Sequence, residues 1–270
     1  MEHRNLALNQ QDAKALAAGY SRAFRAVEIF SIVSFFSLMT IVVWRVAPFW
    51  AHAPWLIIAA FAVGFIAADF VSGFVHWLAD TWGRTDMPVI GKALLRPFRE
   101  HHVDQKAITR HDYIETNGSN CMISLPHAIA CVLCPLELGE WMAIELFAIV
   151  SSASMIFWVM MTNQFHKWAH MDETEAPLVV QWLQKVHLVL PPAHHAIHHT
   201  APFNKYYSIT TGWLNWPLHK LGFYRGLERF GTAVFGAIPR QDDIGLDAAI
   251  TIAPALPTQS SEPQVDLTRG

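Results

Sequence analysis

The sequence predicts an all-α integral membrane protein, with four transmembrane helices in two hairpins and a cytoplasmic histidine-rich helical cap. Composition is the first reason, since 53% of the 270 residues are hydrophobic and only 15% are charged. Ordinary soluble domains carry about 25% charged residues, so this deficit is typical of a membrane protein. The lengths of the apolar runs and the uneven distribution of lysine and arginine are the other two reasons.

Four apolar runs approach the length of about 20 residues that a helix needs to cross the hydrocarbon of a bilayer. The third run is interrupted by Pro126 and Pro135. Around the runs, the chain divides into a cytoplasmic N-terminal segment (1–28), a membrane domain (29–236) and a tail (237–270) whose proline, serine and glutamine residues predict flexibility. The predicted spans cover residues 29–50, 55–78, 121–138 and 141–165.

Lysine and arginine predict the orientation of these spans. Eighteen of the nineteen lie in the N-terminal segment, in the loop 79–120 or after Phe165, and the exception is Arg45. Cytoplasmic segments of membrane proteins carry an excess of these residues, so both termini and the long loop are predicted to be cytoplasmic. The membrane would be the inner membrane of a bacterium or the endoplasmic reticulum of a eukaryote. Aromatic-rich segments after residue 170 predict amphipathic helices on the membrane surface.

Histidines concentrate on the same predicted side, and twelve of the fifteen lie between residues 76 and 199. Residues four apart on a helix share a face, which pairs His166 with His170 and His76 with Asp80. Neutral imidazole is the commonest metal ligand among side chains. These pairs, at the cytoplasmic ends of two spans, therefore indicate a metal centre at the membrane surface.

Two further histidine-rich segments complete the pattern. Because His195, His198 and His199 fall at i, i+3 and i+4, one helix could direct all three at one point. His101 and His102 are adjacent and point apart unless the backbone turns, so they could serve separate metals, or one of them could support a ligand. The residues expected to form the catalytic centre are His76, His101, His102, His166, His170, His195, His198 and His199.

The candidate ligands are too numerous for one ion and suit two. Imidazole with carboxylate and no thiolate favours iron, with zinc or manganese as alternatives. Two irons beside a membrane suit O2-dependent oxidation of an apolar substrate. Spacing leaves open which of Asp80, His111, His187 and His194 bind metal directly. The full set of candidate metal ligands is His76, Asp80, His101, His102, His111, His166, His170, His187, His194, His195, His198 and His199.

Other polar residues are candidates for substrate contacts. Asp69 lies seven residues before His76 on the same helical face, roughly 10 Å deeper in the bilayer. An ionisable group there is costly, which suggests that it supports the metal centre or lines a cavity. A packing hydrogen bond to Ser72 or to another helix is the alternative. Three residues of the cytoplasmic loop are candidate headgroup contacts: Glu115, Asn117 and Asn120.

From about residue 68 to residue 240 the sequence resembles the Kua/CarF-type lipid desaturase family. The resemblance implies an O2-dependent oxidoreductase with a di-iron centre that takes electrons from a donor such as cytochrome b5 or ferredoxin. The implied substrate is the ether phospholipid plasmanylethanolamine, whose 1-O-alkyl chain becomes the vinyl ether of a plasmalogen. Nucleic acid is not an expected partner. The matching strings fall within residues 68–77, 79–83, 96–102, 107–112, 115–118, 162–168, 194–199 and 209–215.

The histidine pattern departs from that of other membrane desaturases, which carry a His-x-x-His-His motif twice. Residues 195–199 keep the motif, whereas Phe98 stands where the earlier copy would begin. The family's ligand set therefore cannot be carried over whole. Three alternatives stay open: a desaturase of phospholipid fatty-acyl chains, a haem- or metal-binding membrane electron carrier, and a partner protein without catalysis.

Overall fold

The computed structural model describes residues 20–83, 87–88, 91, 95–96, 98, 102, 104–172, 174–200 and 203–239. Among these residues the regular structure is helical and no β-strand occurs, in agreement with the predicted all-α class. The tail predicted from residue 237 lies almost wholly outside them. The α-helices that lie wholly within these residues are α1 (Arg22–Val46), α2 (Pro54–Thr81), α3 (Ala107–Arg110), α4 (Tyr113–Leu133), α5 (Met142–Ala169), α6 (Leu178–Lys185), α7 (Pro192–Ala196), α8 (Asn215–Lys220) and α9 (Phe223–Phe235).

Three of these helices are long and apolar enough to cross a membrane: α1 with the 3-10 turn after it (Arg22–Ala51), α2 and α5. They coincide with the first, second and fourth predicted spans. Large apolar side chains are exposed on them, with Phe30 68% and Trp44 76% exposed. Such surface is costly in water and suits lipid, so the three helices indicate a membrane protein.

The third predicted span corresponds to α4, which does not meet the same test of apolar length. Its N-terminus lies at Tyr113 rather than near residue 121, because the carboxylate of Asp112 accepts the backbone N–H groups of Ile114 and Glu115. The polar residues Thr116, Asn117 and Ser119 lie in the stretch predicted to be loop, and they are buried in the second turn of the helix. The helix ends at Leu133, one residue before an extended Cys134 that precedes Pro135.

The long helices pack in the order α1, α4, α5, α2, with the most extensive contacts between α2 and α5 and between α1 and α4. Gly64 permits the close approach of α2 to α5, since a Cβ there would lie 2.3 Å from the carbonyl oxygen of Ser151. The guanidinium of Arg45 donates to the carbonyl oxygens of Cys131, Val132 and Cys134. Arg45 therefore caps the C-terminus of α4 instead of only extending towards the membrane interface.

Candidate metal centre

The structure brings eight side chains together into two adjacent groups of four, each able to hold a metal ion. Group one contains His166, His170, His195 and His199, and group two contains His76, Asp80, His102 and His198. Within each group the potential ligand atoms all lie within 4.8 Å of one another. Neither group contains a cysteine, in line with the nitrogen and oxygen donors expected from the sequence.

Group one is a cluster of imidazole nitrogens contributed by the end of α5 and by the segment that begins with α7. The Nε2 atom of His195 lies 2.8 Å from that of His166, 3.0 Å from that of His170 and 3.0 Å from that of His199. One Nε2 holds at most one proton or one lone pair, so hydrogen bonds cannot satisfy all three contacts. Two ligands at right angles and ~2.1 Å from a cation lie roughly 3 Å apart, which is the spacing observed.

Group two combines three imidazoles with one buried carboxylate. Oδ2 of Asp80 lies 3.3 Å from Nε2 of His76, 3.3 Å from Nε2 of His102 and 3.4 Å from Nε2 of His198. Neither oxygen of this carboxylate forms a hydrogen bond within the described part of the chain. Burying a carboxylate costs free energy unless a positive charge or hydrogen bonds compensate it. A cation held by the four residues would supply that compensation.

Backbone carbonyls orient two of the imidazoles in group two. Nδ1 of His76 lies 3.0 Å from the carbonyl oxygen of Tyr207, and Nδ1 of His198 lies 2.9 Å from that of Lys205. A carbonyl oxygen only accepts, so both Nδ1 atoms must carry the proton. Their Nε2 atoms then direct lone pairs into the group, which is the arrangement usual for metal-ligating histidines. Sequence reasoning missed both contacts, since a carbonyl has no residue-type signature.

The segment with three histidines divides between the two groups. His195 and His199 belong to group one and His198 belongs to group two. The sequence predicted that one helix could direct all three at one point, and that prediction was wrong. Helix α7 ends at Ala196 and the chain continues as turns, so the three histidines do not lie on one helix. This division places the groups side by side, with the rings of His102 and His199 4.8 Å apart between centroids.

Aromatic side chains surround group two, whereas group one borders a cavity. Phe98 packs on the ring of His76, Phe203 on that of His102, and Tyr207 on that of His198. A cavity of about 390 Å³ opens beside group one, and its lining includes polar residues. Burial, with a smaller effect of the nearby Lys106 ammonium, lowers the pKa of His170 to about 3, which keeps its imidazole neutral at physiological pH. The residues of this cavity are Gln105, Lys106, Ala169, His170, Met171, Asp172, Pro192, Ala193, His195, Ala196 and His199.

Three other candidate ligands lie outside both groups. His111 faces Glu115, with 3.7 Å between Nε2 and the nearest carboxylate oxygen, and burial lowers its pKa to about 4. His187 is exposed at a positive φ of 59°. Nε2 of His194 lies 3.1 Å from Nδ2 of Asn215. The remaining candidate, residue 101, lies outside the described residues.

The four candidate substrate residues all form contacts within the protein. Asp69 is buried and accepts three backbone N–H groups from the segment between α7 and α8. Asn117 donates to the carbonyl oxygen of Tyr113, and Asn120 donates to that of Val159 on α5. A carboxylate oxygen of Glu115 lies 3.6 Å from the guanidinium of the buried Arg96.

Comparison with known proteins identifies the family to which the chain belongs. A family profile described as the lipid desaturase domain matches residues 65–242. The chain therefore belongs to the lipid desaturase domain family, and the family expected from the sequence is confirmed. No solved structure matches the fold closely enough to be reported as similar.

Individual relatives narrow the comparison. The chain is 57% identical over 242 residues to a plasmanylethanolamine desaturase of Myxococcus xanthus, and the aligned region covers 90% of this chain and 84% of the relative. It is 43% identical over 250 residues to plasmanylethanolamine desaturase 1 of Mus musculus, and this alignment covers 90% of both chains. Similarity to the chloroplastic fatty acid desaturase 4 of Arabidopsis thaliana is lower, with 31% identity over 66% of this chain and 52% of the relative.

Proposed function

We propose that this chain is a membrane oxidoreductase that converts plasmanylethanolamine to a plasmalogen by desaturating its 1-O-alkyl chain beside the ether oxygen. The pair of adjacent four-residue groups is the observation that carries this proposal. The extensive similarity to two proteins named for that activity supports the choice of substrate. The reaction removes one hydrogen from each of two adjacent carbons. O2 is reduced to two waters by these two hydrogens together with two electrons and two protons from a donor.

We propose that each group holds one iron, and donor chemistry supports this assignment. Imidazole and carboxylate ligands suit iron, and zinc or manganese are alternatives that metal analysis would reveal. When bound, the two irons supply the O2 activation that removal of hydrogen from an alkyl chain requires. All eight side chains belong to the set of ligands predicted from the sequence.

The chain's own residues orient ligands and exclude water. The carbonyl oxygens of Lys205 and Tyr207 hold protons at Nδ1 of His198 and His76, which fixes the direction of both rings. The rings of Phe98 and Phe203 shield group two from solvent. The cavity beside group one, whose lining includes Lys106 and Asp172, supports delivery of electrons and protons there, from a donor such as cytochrome b5 or ferredoxin.

The proposed topology has four spans, with α4 as the third, and a cytoplasmic cap that carries both groups. Three helices meet the length and hydropathy required. Packing of α4 against both α1 and α5, two of these three helices, supports its inclusion. Arg45 at the C-terminus of α4 neutralises the partial negative charge of that helix end.

Lipid analysis tests the function. The chain is expressed in a host that makes alkyl ether phospholipids, and acid-labile vinyl ethers are measured by mass spectrometry. We expect plasmalogen from the wild type and a loss of at least about 100-fold in His198→Ala, because a metal ligand is removed. His127→Ala is the control, since His127 is exposed on α4 and belongs to neither group.

Other results of the lipid analysis would favour other functions. A double bond in an ester-linked acyl chain, with the alkyl chain unchanged, would favour the fatty-acyl alternative that the Arabidopsis relative suggests. Wild-type expression with neither product would contradict desaturation. Full activity of His198→Ala would remove that residue from the proposed centre. A Soret band in the purified protein would instead favour the haem-binding electron carrier.

A further inference from the structure

The segment Lys205–Leu214, called the anchor loop below, carries both carbonyls that orient imidazoles of group two. Tyr207 presents its carbonyl oxygen to His76, and Lys205 presents its carbonyl oxygen to His198. The positions of these two oxygens depend on what fixes the loop. The contacts that fix it come largely from α2, the helix that also supplies His76 and Asp80.

Asp69 forms the principal attachment of the anchor loop. Its Oδ1 accepts the N–H groups of Thr211 at 2.8 Å and Gly212 at 2.9 Å, and its Oδ2 accepts that of Leu214 at 3.0 Å. The Asp69 residue is only 1% exposed. Hydrogen bonds to a buried carboxylate are about twice as strong as those between neutral groups. The chain turns at Gly212, whose φ is +79°, and this turn directs neighbouring N–H groups towards the same carboxylate.

Two further side chains extend this attachment towards Tyr207. Ser72 accepts the N–H of Ile209 at 3.2 Å, and Asn215 both accepts the N–H of Ser208 and donates to its carbonyl oxygen. Gly73 lets the loop approach the helix, since a Cβ there would lie 2.4 Å from Oγ of Ser208. The loop is therefore held along one face of α2, and its attached residues continue directly into Tyr207.

We propose that Asp69 is a positioning residue of group two, which acts through the anchor loop to orient His76 and His198. The inference rests on the proposed metal-binding role of that group. The anchor loop orients imidazoles of group two directly, through the carbonyl oxygens of Lys205 and Tyr207. It meets the segment of group one through the backbone, where the N–H of Leu190 donates to the carbonyl oxygen of Thr210. Loss of Asp69 should therefore weaken metal binding at group two much more than at group one.

The test measures Fe(II) affinity in two backgrounds under anaerobic conditions by competition with a chelator. His170→Ala disables group one, so the remaining strong site is group two, and His102→Ala has the converse effect. Asp69→Asn is nearly isosteric, but its amide group faces N–H donors and removes the charge. We expect it to weaken Fe(II) binding about 10–100-fold in the His170→Ala background and to change affinity in the His102→Ala background far less.

Glu28→Gln is the matched control, because Glu28 is another buried carboxylate, 1% exposed, which accepts hydrogen bonds from Tyr20 and Ser119 instead. We expect Glu28→Gln to leave the affinities of both groups unchanged. Equal weakening of both groups by Asp69→Asn, no weakening of either, or the same selective loss in Glu28→Gln would overturn the proposal. The measurement needs no lipid, so selective loss in a protein that forms no vinyl ether would uphold the positioning role and contradict only the proposed reaction.

Discussion

At the scale of single residues, the centre depends on keeping imidazoles neutral and directed inwards. His170 illustrates the first requirement, because burial holds its pKa near 3. Carbonyl acceptors meet the second requirement for His76 and His198. A protonated imidazole cannot bind a metal, so the folded environment itself selects the state that ligation needs.

The depressed pKa of His170 predicts that acid destabilises the metal-free protein. The unfolded residue gains a proton near pH 6.5, whereas the folded one stays neutral down to about pH 3. The unfolded state therefore binds more protons between these values, and the free energy of unfolding falls as the pH decreases through that window. We expect a lower thermal midpoint at pH 5 than at pH 7.5, and a smaller difference in His170→Gln. A midpoint that is unchanged or higher at pH 5 would contradict this explanation.

The limits of sequence reasoning are clearest in the histidine segments. Helical spacing correctly anticipated that His166 and His170 approach each other, because α5 continues regularly to Ala169. The same rule failed for His198, since α7 ends before it and turns follow. Recognising that break would have required knowledge of how the segment packs on the rest of the cap. The carbonyls of Lys205 and Tyr207 were beyond prediction, because only the tertiary fold brings them near the rings.

At the scale of helices, positions of close approach determine which elements face each other. Gly64 is the tightest of these between α2 and α5, the two long helices that end in metal-group histidines. Oγ of Ser154 also donates to the carbonyl oxygen of Phe61 across this interface. The sequence predicted both helices closely from their apolar runs. It gave α4 too late a beginning, because polar residues that fill a helix interface resemble those of a loop.

Gly64→Ala is expected to destabilise the bundle. The new Cβ would meet the backbone of α5 at Ser151 and Met155, which cannot move as easily as a side chain. Overpacking of this kind typically costs about 1–3 kcal/mol. Gly226→Ala is the matched control, because Gly226 is also helical and has open space around its Cβ position. Thermal unfolding in detergent should show a lower midpoint for the first variant only, and equal midpoints would show that α2 and α5 are not packed this closely.

At the scale of the whole molecule, the proposed topology places the metal groups on one side of the membrane. The long helices deliver His76 and Asp80 at the end of α2 and His166 at the end of α5. Both ends lie on the same side in the fold, since the two groups are adjacent. Under the proposed topology that side is the cytoplasm, because cytoplasmic segments carry an excess of lysine and arginine.

Cysteine accessibility tests this assignment. In a background without native cysteines, His52→Cys and Gly139→Cys lie in the two short turns between proposed spans, and Lys185→Cys lies at the end of α6. A membrane-impermeant maleimide applied to intact cells or right-side-out vesicles should label the first two positions, and should label Lys185→Cys only after permeabilisation. Labelling of position 139 from the cytoplasmic side would mean that α4 does not cross the membrane.

Anomalous diffraction at the iron absorption edge tests the two-metal centre most directly. A crystal of the anaerobically purified protein should give two peaks per chain, one among His166, His170, His195 and His199 and the other among His76, Asp80, His102 and His198. A single peak shared by both groups, a peak elsewhere or no iron signal would contradict the proposal that two irons occupy these groups.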